Sequence, residues 1–288
     1  MVPYWCTYSF VLIIMLLKTF LNNAFCGGGL QKLQLLPRWR YFATLPDGNP
    51  LEAIDFAALQ TELMSYKEHF PAISDNQVNQ LYLLCQHVVD WNQKVNLISR
   101  QDIFSIVENH LLPSLAISKV ANFMPNDKVL DIGTGGGFPG LPLAIAHPGT
   151  QFTLLDSSSK KMKVVADIVD KMHLRNVKVV TSRAEEYRGR FDCLLGRAVT
   201  ALPHFLSFSY HLLKCDSTPI SDQESIGGRG LYYLKGGEYI NELKEAGVAK
   251  HNIKYVRDLV PIQSDKFVLH ISSSEICRYR NNLGYNAR

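Results

Sequence analysis

Residues 128–140 read KVLDIGTGGGFPG, and the fold turns on this stretch. Val129 and Leu130 lead into an acid, Asp131, and glycines then follow at alternate positions, Gly133, Gly135 and Gly137. The pattern reads as a buried strand ending in a tight turn where a ligand lies against bare backbone, because glycine has no Cβ and adopts positive φ readily. Pro139 is expected at the first helical position, where its missing N–H costs nothing. Strand, glycine loop and helix together open an α/β unit.

The ligand is narrowed by what the loop lacks. A dinucleotide fingerprint requires a third glycine at position 138, where this chain has Phe138. A pyrophosphate also needs free N–H groups at a helix start, and Pro139 removes one of them. An early carboxylate suits a cationic or amine-bearing ligand. S-adenosylmethionine answers that description, with a sulfonium, an α-amine and an adenosine but no phosphate.

Further strands extend the pattern. Gln151–Asp156 (QFTLLD) is a second apolar strand ending in an acid. An acid at that point accepts hydrogen bonds from ribose hydroxyls. It also serves as a helix start, since Ser157, Ser158 and Ser159 follow, and the two roles are compatible. A third strand is expected over 177–181, leading into Ser182–Tyr187, and a fourth over 191–195, leading into Gly196, Arg197 and Ala198. Ligands of open parallel sheets bind outside the carboxyl ends of the strands. Gly133, Gly135, Asp156, Ala184, Glu185 and Arg197 are therefore candidate cofactor-binding residues. Ala184 and Glu185 would lie beside an adenine ring. Arg197 would lie on the floor, near the ligand's carboxylate or a second substrate.

These blocks, together with WNQKVNLISRQDI (91–103), ENHLLPSLAI (108–117), GRAVTALP (196–203) and LYYLKGG (231–237), resemble the bacterial small-subunit rRNA guanine-N7 methyltransferases, RsmG or GidB. The resemblance runs from about Phe70 to about Ile271. It implies a class I S-adenosylmethionine-dependent methyltransferase: a Rossmann-like, seven-stranded, mostly parallel sheet with an N-terminal helical subdomain. It implies S-adenosyl-L-methionine as the methyl donor and small-subunit rRNA, or a 30S-type particle, as the partner. It adds Phe138 to the cofactor-binding candidates, placing Gly133 and Phe138 against the methionine end or adenosine, Ala184 and Glu185 around the adenine partly through backbone, and Arg197 along the cofactor or substrate site. The chain departs from the family at Asn109, usually Arg or His, and at Pro113, often Asp or His.

With 47% hydrophobic residues in 288, the chain can bury a sizeable core. Thirty basic residues against 26 acidic give +4, a bias compatible with RNA and no more than that. Cys6, Cys26, Cys85, Cys193, Cys215 and Cys277 are scattered without a C-x-x-C pair, which argues against zinc; no metal and no disulfide is expected, and Cys193 reads as a small core residue. Phe10–Leu17 (FVLIIMLL) is shorter than the ~20 apolar residues a bilayer span needs. Followed by the acid-free, basic Gln31–Phe42, it reads as a signal- or transit-like leader over 1–45. The alternatives are a membrane anchor or a mis-assigned start. A leader of this kind on a bacterial-type rRNA enzyme points to an organelle, a plastid before a mitochondrion, with no stable membrane association once it is removed.

The expected organisation is a turn-rich linker over 43–50, a helical subdomain over 51–124, a methyltransferase domain over 125–275 with a polar insert at 215–230, and a polar tail over 276–288. Val78, Leu81, Leu84, Cys85, Val88 and Trp91 recur at helical spacing, with Ser74 as N-cap. Trp91 reads as a core anchor rather than a base-stacking platform. Two last strands, 254–260 and 267–272, are expected as an antiparallel edge pair. Lys160, Lys161 and Lys163 form a solvated face or a phosphate contact.

Guanine N7 carries a lone pair and no proton, so methylation needs no general base. Catalysis would come from positioning, with N7 about 3–3.5 Å from the methyl carbon, and from a carbonyl or carboxylate near the developing charge. No catalytic group is certain; Arg197 and Lys235 are the candidates. RNA-binding candidates are Asn96, Arg100, His110 and Lys235. The bland readings are a solvated loop for Asn96 and Arg100, a satisfied helical histidine for His110, and a snorkelling lysine for Lys235. Competing functions are a methyltransferase of the same fold acting on a small molecule or a protein, and a non-catalytic RNA-binding assembly factor.

Overall fold

In the computed structural model, residues 54–215 and 227–282 are described. The leader, the 43–50 linker and the centre of the polar insert lie outside the described residues. Seven strands alternate with helices: β1 Lys128–Ile132, β2 Gln151–Asp156, β3 Val177–Thr181, β4 Cys193–Arg197, β5 Gly230–Lys235, β6 Asn252–Tyr255 and β7 Phe267–Ser272. They form one sheet in the order β3-β2-β1-β4-β5-β7-β6. The first five pair in parallel, and β7 inserts antiparallel between β5 and β6. This is the class I methyltransferase architecture.

Central strands bury both faces, and their sequences are accordingly apolar runs rather than alternations. Val129 belongs to the core on one side of β1, Leu130 and Ile132 to the core on the other. The order in which strands are added to the sheet reverses between β1 and β4, which stay parallel, so the carboxyl ends of β1, β2 and β4 lie side by side.

Helices cover the sheet. In chain order they are α1 Phe56–Tyr66, α2 Asp75–Asn92, α3 Leu112–Ala116, α4 Gly140–Ala146, α5 Ser159–Lys171, α6 Leu202–Ser209, α7 Ile240–Glu245, α8 Val256–Leu259 and α9 Ser273–Asn282. Ser74 and Gln77 form a capping box at the start of α2. The Gln77 amide also donates to the Ile145 carbonyl at 2.7 Å, satisfying an orphan acceptor at the end of α4. Val78, Leu81, Leu84, Cys85, Val88 and Val89 form the buried face of α2. Trp91, half-buried, packs on the core as expected and donates from Nε1 to Asp167 Oδ2 on α5 at 2.8 Å. One hydrophobic core runs without a break from Leu84 and Leu111 to Val129, Phe152 and Val165. The helices of 56–124 and the sheet therefore share a single apolar interior.

Several expectations are corrected. β4 spans Cys193–Arg197 and is not the expected 191–195, because Phe191 bridges Leu213 before the main ladder begins. Gly196 and Arg197 are thus the last strand residues, and the close approach of Tyr233 and Phe205 leaves no room for a Cβ at Gly196. β6 ends at Tyr255, and Val256–Leu259 turns into α8, although the antiparallel edge pairing holds. Pro139 precedes rather than begins its helix, which starts at Gly140. The tail is not wholly polar: α9 runs through Asn282 and buries Ile276. Finally, Cys215 and Cys277 form a disulfide, with Cα atoms 5.9 Å apart. The scattered spacing concealed it, because α9 folds back and brings together cysteines 62 residues apart. Cys85 and Cys193 are free and buried, and burial pushes both thiols up to about 12, as expected for core residues.

Candidate functional site

The glycine loop is built around Asp131. Its Oδ2 accepts from the Thr134 hydroxyl at 2.6 Å and from the Gly140 amide at 2.9 Å, tying the loop to the helix that follows. The carboxylate lies beneath the loop, fully buried, with Oδ1 enclosed and unpartnered. Burial raises its pKa to about 6, against the opposing pull of the Thr134 and Gly140 bonds and of Arg197. The early acid thus supports the loop from below and does not border the ligand space. Gly133, Gly135 and Gly137 all take positive φ.

A cavity of about 290 Å³ opens at the carboxyl ends of β1, β2 and β4. Gly133, Asp156, Ala184, Glu185 and Arg197 border it together, as the sequence predicted, with Val199 and Phe208 added. At Gly133 (φ +70) a Cβ would meet Val199 Cγ2 at 2.9 Å, so only glycine leaves this wall open. Asp156 Oδ2 accepts from the Gly135 amide at 3.0 Å and Oδ1 from the Ser158 amide at 2.8 Å. Each oxygen keeps a second lone pair for a ligand hydroxyl. The N-cap of α5 is Ser158 and not Asp156, which holds the cap through the Ser158 amide.

Two predicted cofactor residues do not border the cavity. Gly135 acts through its amide on Asp156. Phe138 is turned into the core, its ring edge-on to His110 at 5.4 Å, because a bulky apolar side chain is driven away from the wet side of the loop.

Arg197, at the end of β4, reaches across to the segment before α3. Its Nη2 donates to the Asn109 carbonyl at 3.0 Å and to His110 Nδ1 at 2.9 Å. Nη1 is enclosed without a partner. Burial lowers the guanidinium to about 10, opposed by Asp102 and Asp131, and it remains charged at neutral pH. Asn109 and His110 lie on one π-helical turn, Val107–Leu111, a geometry that recurs at functional sites. His110 is buried, with Nδ1 engaged by Arg197 and Nε2 enclosed without a formed hydrogen bond, so it does not present an exposed face to RNA. Asn109, a departure from the family pattern, donates through its side chain to Asp102 Oδ1 at 2.7 Å.

Lys235 is also corrected. Its Nζ pairs with Glu242 Oε1 at 2.6 Å, while Oε2 of the same glutamate accepts from the Leu202 amide at 2.8 Å. The lysine therefore anchors α6 and α7 to β5 and does not border the cavity. Asn96 and Arg100 are exposed, flanking buried Leu97 and Ile98. Leu97 lies against Gly136, where a Cβ would meet it at 3.0 Å. Lys160 and Lys163 are exposed.

Sequence reasoning missed four contributors. Asn92 Oδ1 accepts from the Leu97 and Ile98 amides at 2.8 and 3.0 Å, shaping the loop beside the glycines. Tyr233 donates its hydroxyl to the Thr200 carbonyl at 2.6 Å, fixing the cavity wall after β4. Asp102 and Lys266 flank Arg197, and they come from elements more than sixty residues away on either side. Only the Asn-rich run after Trp91 carried a local signal for any of these. Among the described residues no cluster of His, Cys, Asp or Glu could hold a metal ion, and no helix is long and apolar enough to cross a membrane.

The model of the GidB family, rRNA small subunit methyltransferase G, matches residues 77–220. The chain belongs to this family. A ribosomal RNA small subunit methyltransferase G from Flavobacterium johnsoniae is 42% identical over 200 residues, covering 69% of this chain and 90% of that one. Its counterpart from Christiangramia forsetii is 41% identical over 184 residues, covering 64% and 84%. Among solved structures, precorrin-6y C5,15-methyltransferase from Geobacter metallireducens is 13% identical, covering 62% of this chain and 91% of that one, with a TM-score of 0.40. As a GidB member the chain is an S-adenosylmethionine-dependent rRNA guanine-N7 methyltransferase. The cavity fits that donor: it is bordered by the cationic Arg197, whose Nη1 has no partner within the chain, by spare acceptor capacity on Asp156 and by a side-chain-free wall at Gly133.

Proposed function

We propose that Asp156 receives the ribose hydroxyls of S-adenosylmethionine, Ala184 and Glu185 hold its adenine, Gly133 lies against its methionine end, and Arg197 Nη1 takes its carboxylate. The observation that carries this reading is that Arg197, whose Nη1 makes no hydrogen bond within the chain, borders the same cavity as Gly133 and Asp156. A buried donor of this kind costs about 1–3 kcal/mol if left unmet, so a ligand acceptor is the natural completion.

When bound, the donor supplies an electrophilic methyl on sulfur. The chain's own groups do the rest by placement. The Asp131-braced loop and the Tyr233-braced segment after β4 hold the cavity walls. No side chain needs to remove a proton, because guanine N7 has none to lose. The acceptor base, unstacked from an rRNA loop, would enter from the side of Val199, which is exposed, with Asn96 and Arg100 as candidate RNA contacts.

The setting is part of the proposal. The family model matches residues 77–220, well after the signal-like Phe10–Leu17 and the basic Gln31–Phe42. That leader supports an organelle, with a plastid favoured over a mitochondrion, and the guanine modified by bacterial relatives as the target. The test is to map N7-methylguanine in organellar small-subunit rRNA with and without this gene. Loss of one modified guanine supports the proposal; an unchanged organellar map, with loss elsewhere, overturns the localisation. Labelled methyl appearing only on a small molecule overturns the RNA target.

A further inference from the structure

We infer that Asp102, His110 and Lys266 are positioning residues that aim the Arg197 guanidinium into the cavity, the imidazole of His110 acting as a fixed neutral acceptor. The inference rests on the proposed role of Arg197 toward the donor.

The geometry runs as a chain of contacts. Arg197 Nη2 lies 2.9 Å from His110 Nδ1. A guanidinium has only donors, so Nδ1 must accept and the ring proton must sit on Nε2. Nε2 in turn faces Asp102 Oδ2 at 3.5 Å, long for a formed hydrogen bond, so the carboxylate acts on the ring through its field. Asp102 is itself oriented by the Ser99 hydroxyl at 2.8 Å and the Asn109 amide at 2.7 Å. The Asn109 carbonyl accepts from both Arg197 Nη2 at 3.0 Å and Lys266 Nζ at 2.9 Å. Two cations converge on one carbonyl, which lowers the freedom of Arg197 to pivot about its stem.

Charge explains why the ring stays neutral. His110 faces Asp102, Arg197 and Lys266, with Phe138 edge-on. Burial pushes its pKa down to about 3; Arg197 and Lys266 push the same way and Asp102 opposes them. A protonated ring would present N–H to a guanidinium and repel it. The neutral ring with Nε2–H is the one state that accepts from Arg197 and donates toward Asp102. These contacts occupy Nη2, while Nη1 makes no hydrogen bond within the chain and Arg197 borders the cavity. The helical segment 102–111 therefore sets the direction of a strand residue about 90 positions later.

The test is a double-mutant cycle read by calorimetric binding of S-adenosylhomocysteine to the full chain, with the thermal midpoint as a fold control. His110→Leu should weaken binding about tenfold. His110→Gln, whose carbonyl oxygen still accepts from Arg197, should recover most of that loss. In an Arg197→Lys background, His110→Leu should change affinity less than twofold, because its effect passes through the guanidinium. An equal loss in both backgrounds would assign His110 a merely structural role and overturn the inference. If His110→Leu does not fold, His110→Gln and Asp102→Asn supply the cycle, with the same criterion of dependence on Arg197. Histidine ¹⁵N shifts of the wild-type chain give a separate reading: the Nε2–H tautomer is expected at pH 7, and the Nδ1–H tautomer overturns the inference directly. Unchanged affinity on Arg197→Lys alone would instead overturn the role of Arg197 toward the donor, while the tautomer result still stands on its own.

Discussion

Replacing Asp131 with Asn should make the ligand-free protein more stable, and increasingly so as pH rises. Asp131 is fully buried, and its pKa is pushed from 3.8 to about 6 by that burial. A raised carboxyl contributes stability that is fully present below about pH 4 and lost as pH climbs through about 6. The shift of ~2 units, at about 1.4 kcal/mol each, gives a penalty of ~3 kcal/mol by pH 8. Asn has no charge to desolvate. Its side-chain oxygen can still accept from Thr134 and Gly140, the two bonds that Oδ2 now holds. Arg197 keeps Asp102 as its main opposing charge, so the substitution does not strand it. Urea unfolding of both proteins between pH 4 and pH 8 reads the effect. The stability gap should widen by ~3 kcal/mol toward Asp131→Asn over that range, because other titrating groups cancel between the two chains. A gap that stays flat, or widens toward the wild type, would refute the claim that a buried charge sits beneath the loop.

Other substitutions separate the cavity from its supports. Gly133→Ala forces a side chain into positive φ and onto Val199, costing about 1–2 kcal/mol; S-adenosylhomocysteine binding should fall at least tenfold by calorimetry, with circular dichroism unchanged. Asp156→Ala removes the acceptors for two loop amides together with the proposed ribose contact, and should weaken the same binding by about 10–100-fold; Asp156→Asn should lie between, and equal affinity for all three proteins would remove Asp156 from the site. Lys235→Ala breaks the pair with Glu242 and should cost about 1 kcal/mol in urea unfolding while leaving the KM for small-subunit particles within about twofold. A large rise in that KM would return Lys235 to the RNA.

The sheet was legible because its strands carry their own signals. Gln151–Asp156 and Val177–Thr181 are apolar runs of strand length between turn residues, and their bounds are those of β2 and β3. β4 slipped by two residues because Phe191 is as apolar as the strand itself, and only the neighbouring ladder decides where pairing begins. The cavity wall was legible where one residue type is required by backbone geometry or by strand position, as at Gly133, Asp156 and Arg197. The partners of Arg197 were not. Asp102, His110 and Lys266 reach it from two distant segments, and no local spacing encodes such a meeting. Lys235 shows the same limit in reverse: its position at a strand end suggested a ligand, and a glutamate seven residues on claimed it.

The shared interior of the helices and the sheet bears on how this enzyme can be altered. Leu84 and Leu111 lie in the same apolar mass as Phe152 and Val165, and Trp91 is bonded to Asp167. Cutting the chain near residue 125 would bare the apolar faces of α4 and α5 that pack against residues 56–124, and a fragment starting there should precipitate instead of binding its donor. Hybrids that borrow residues 56–124 from a cousin should succeed only when the α5 surface is borrowed with them.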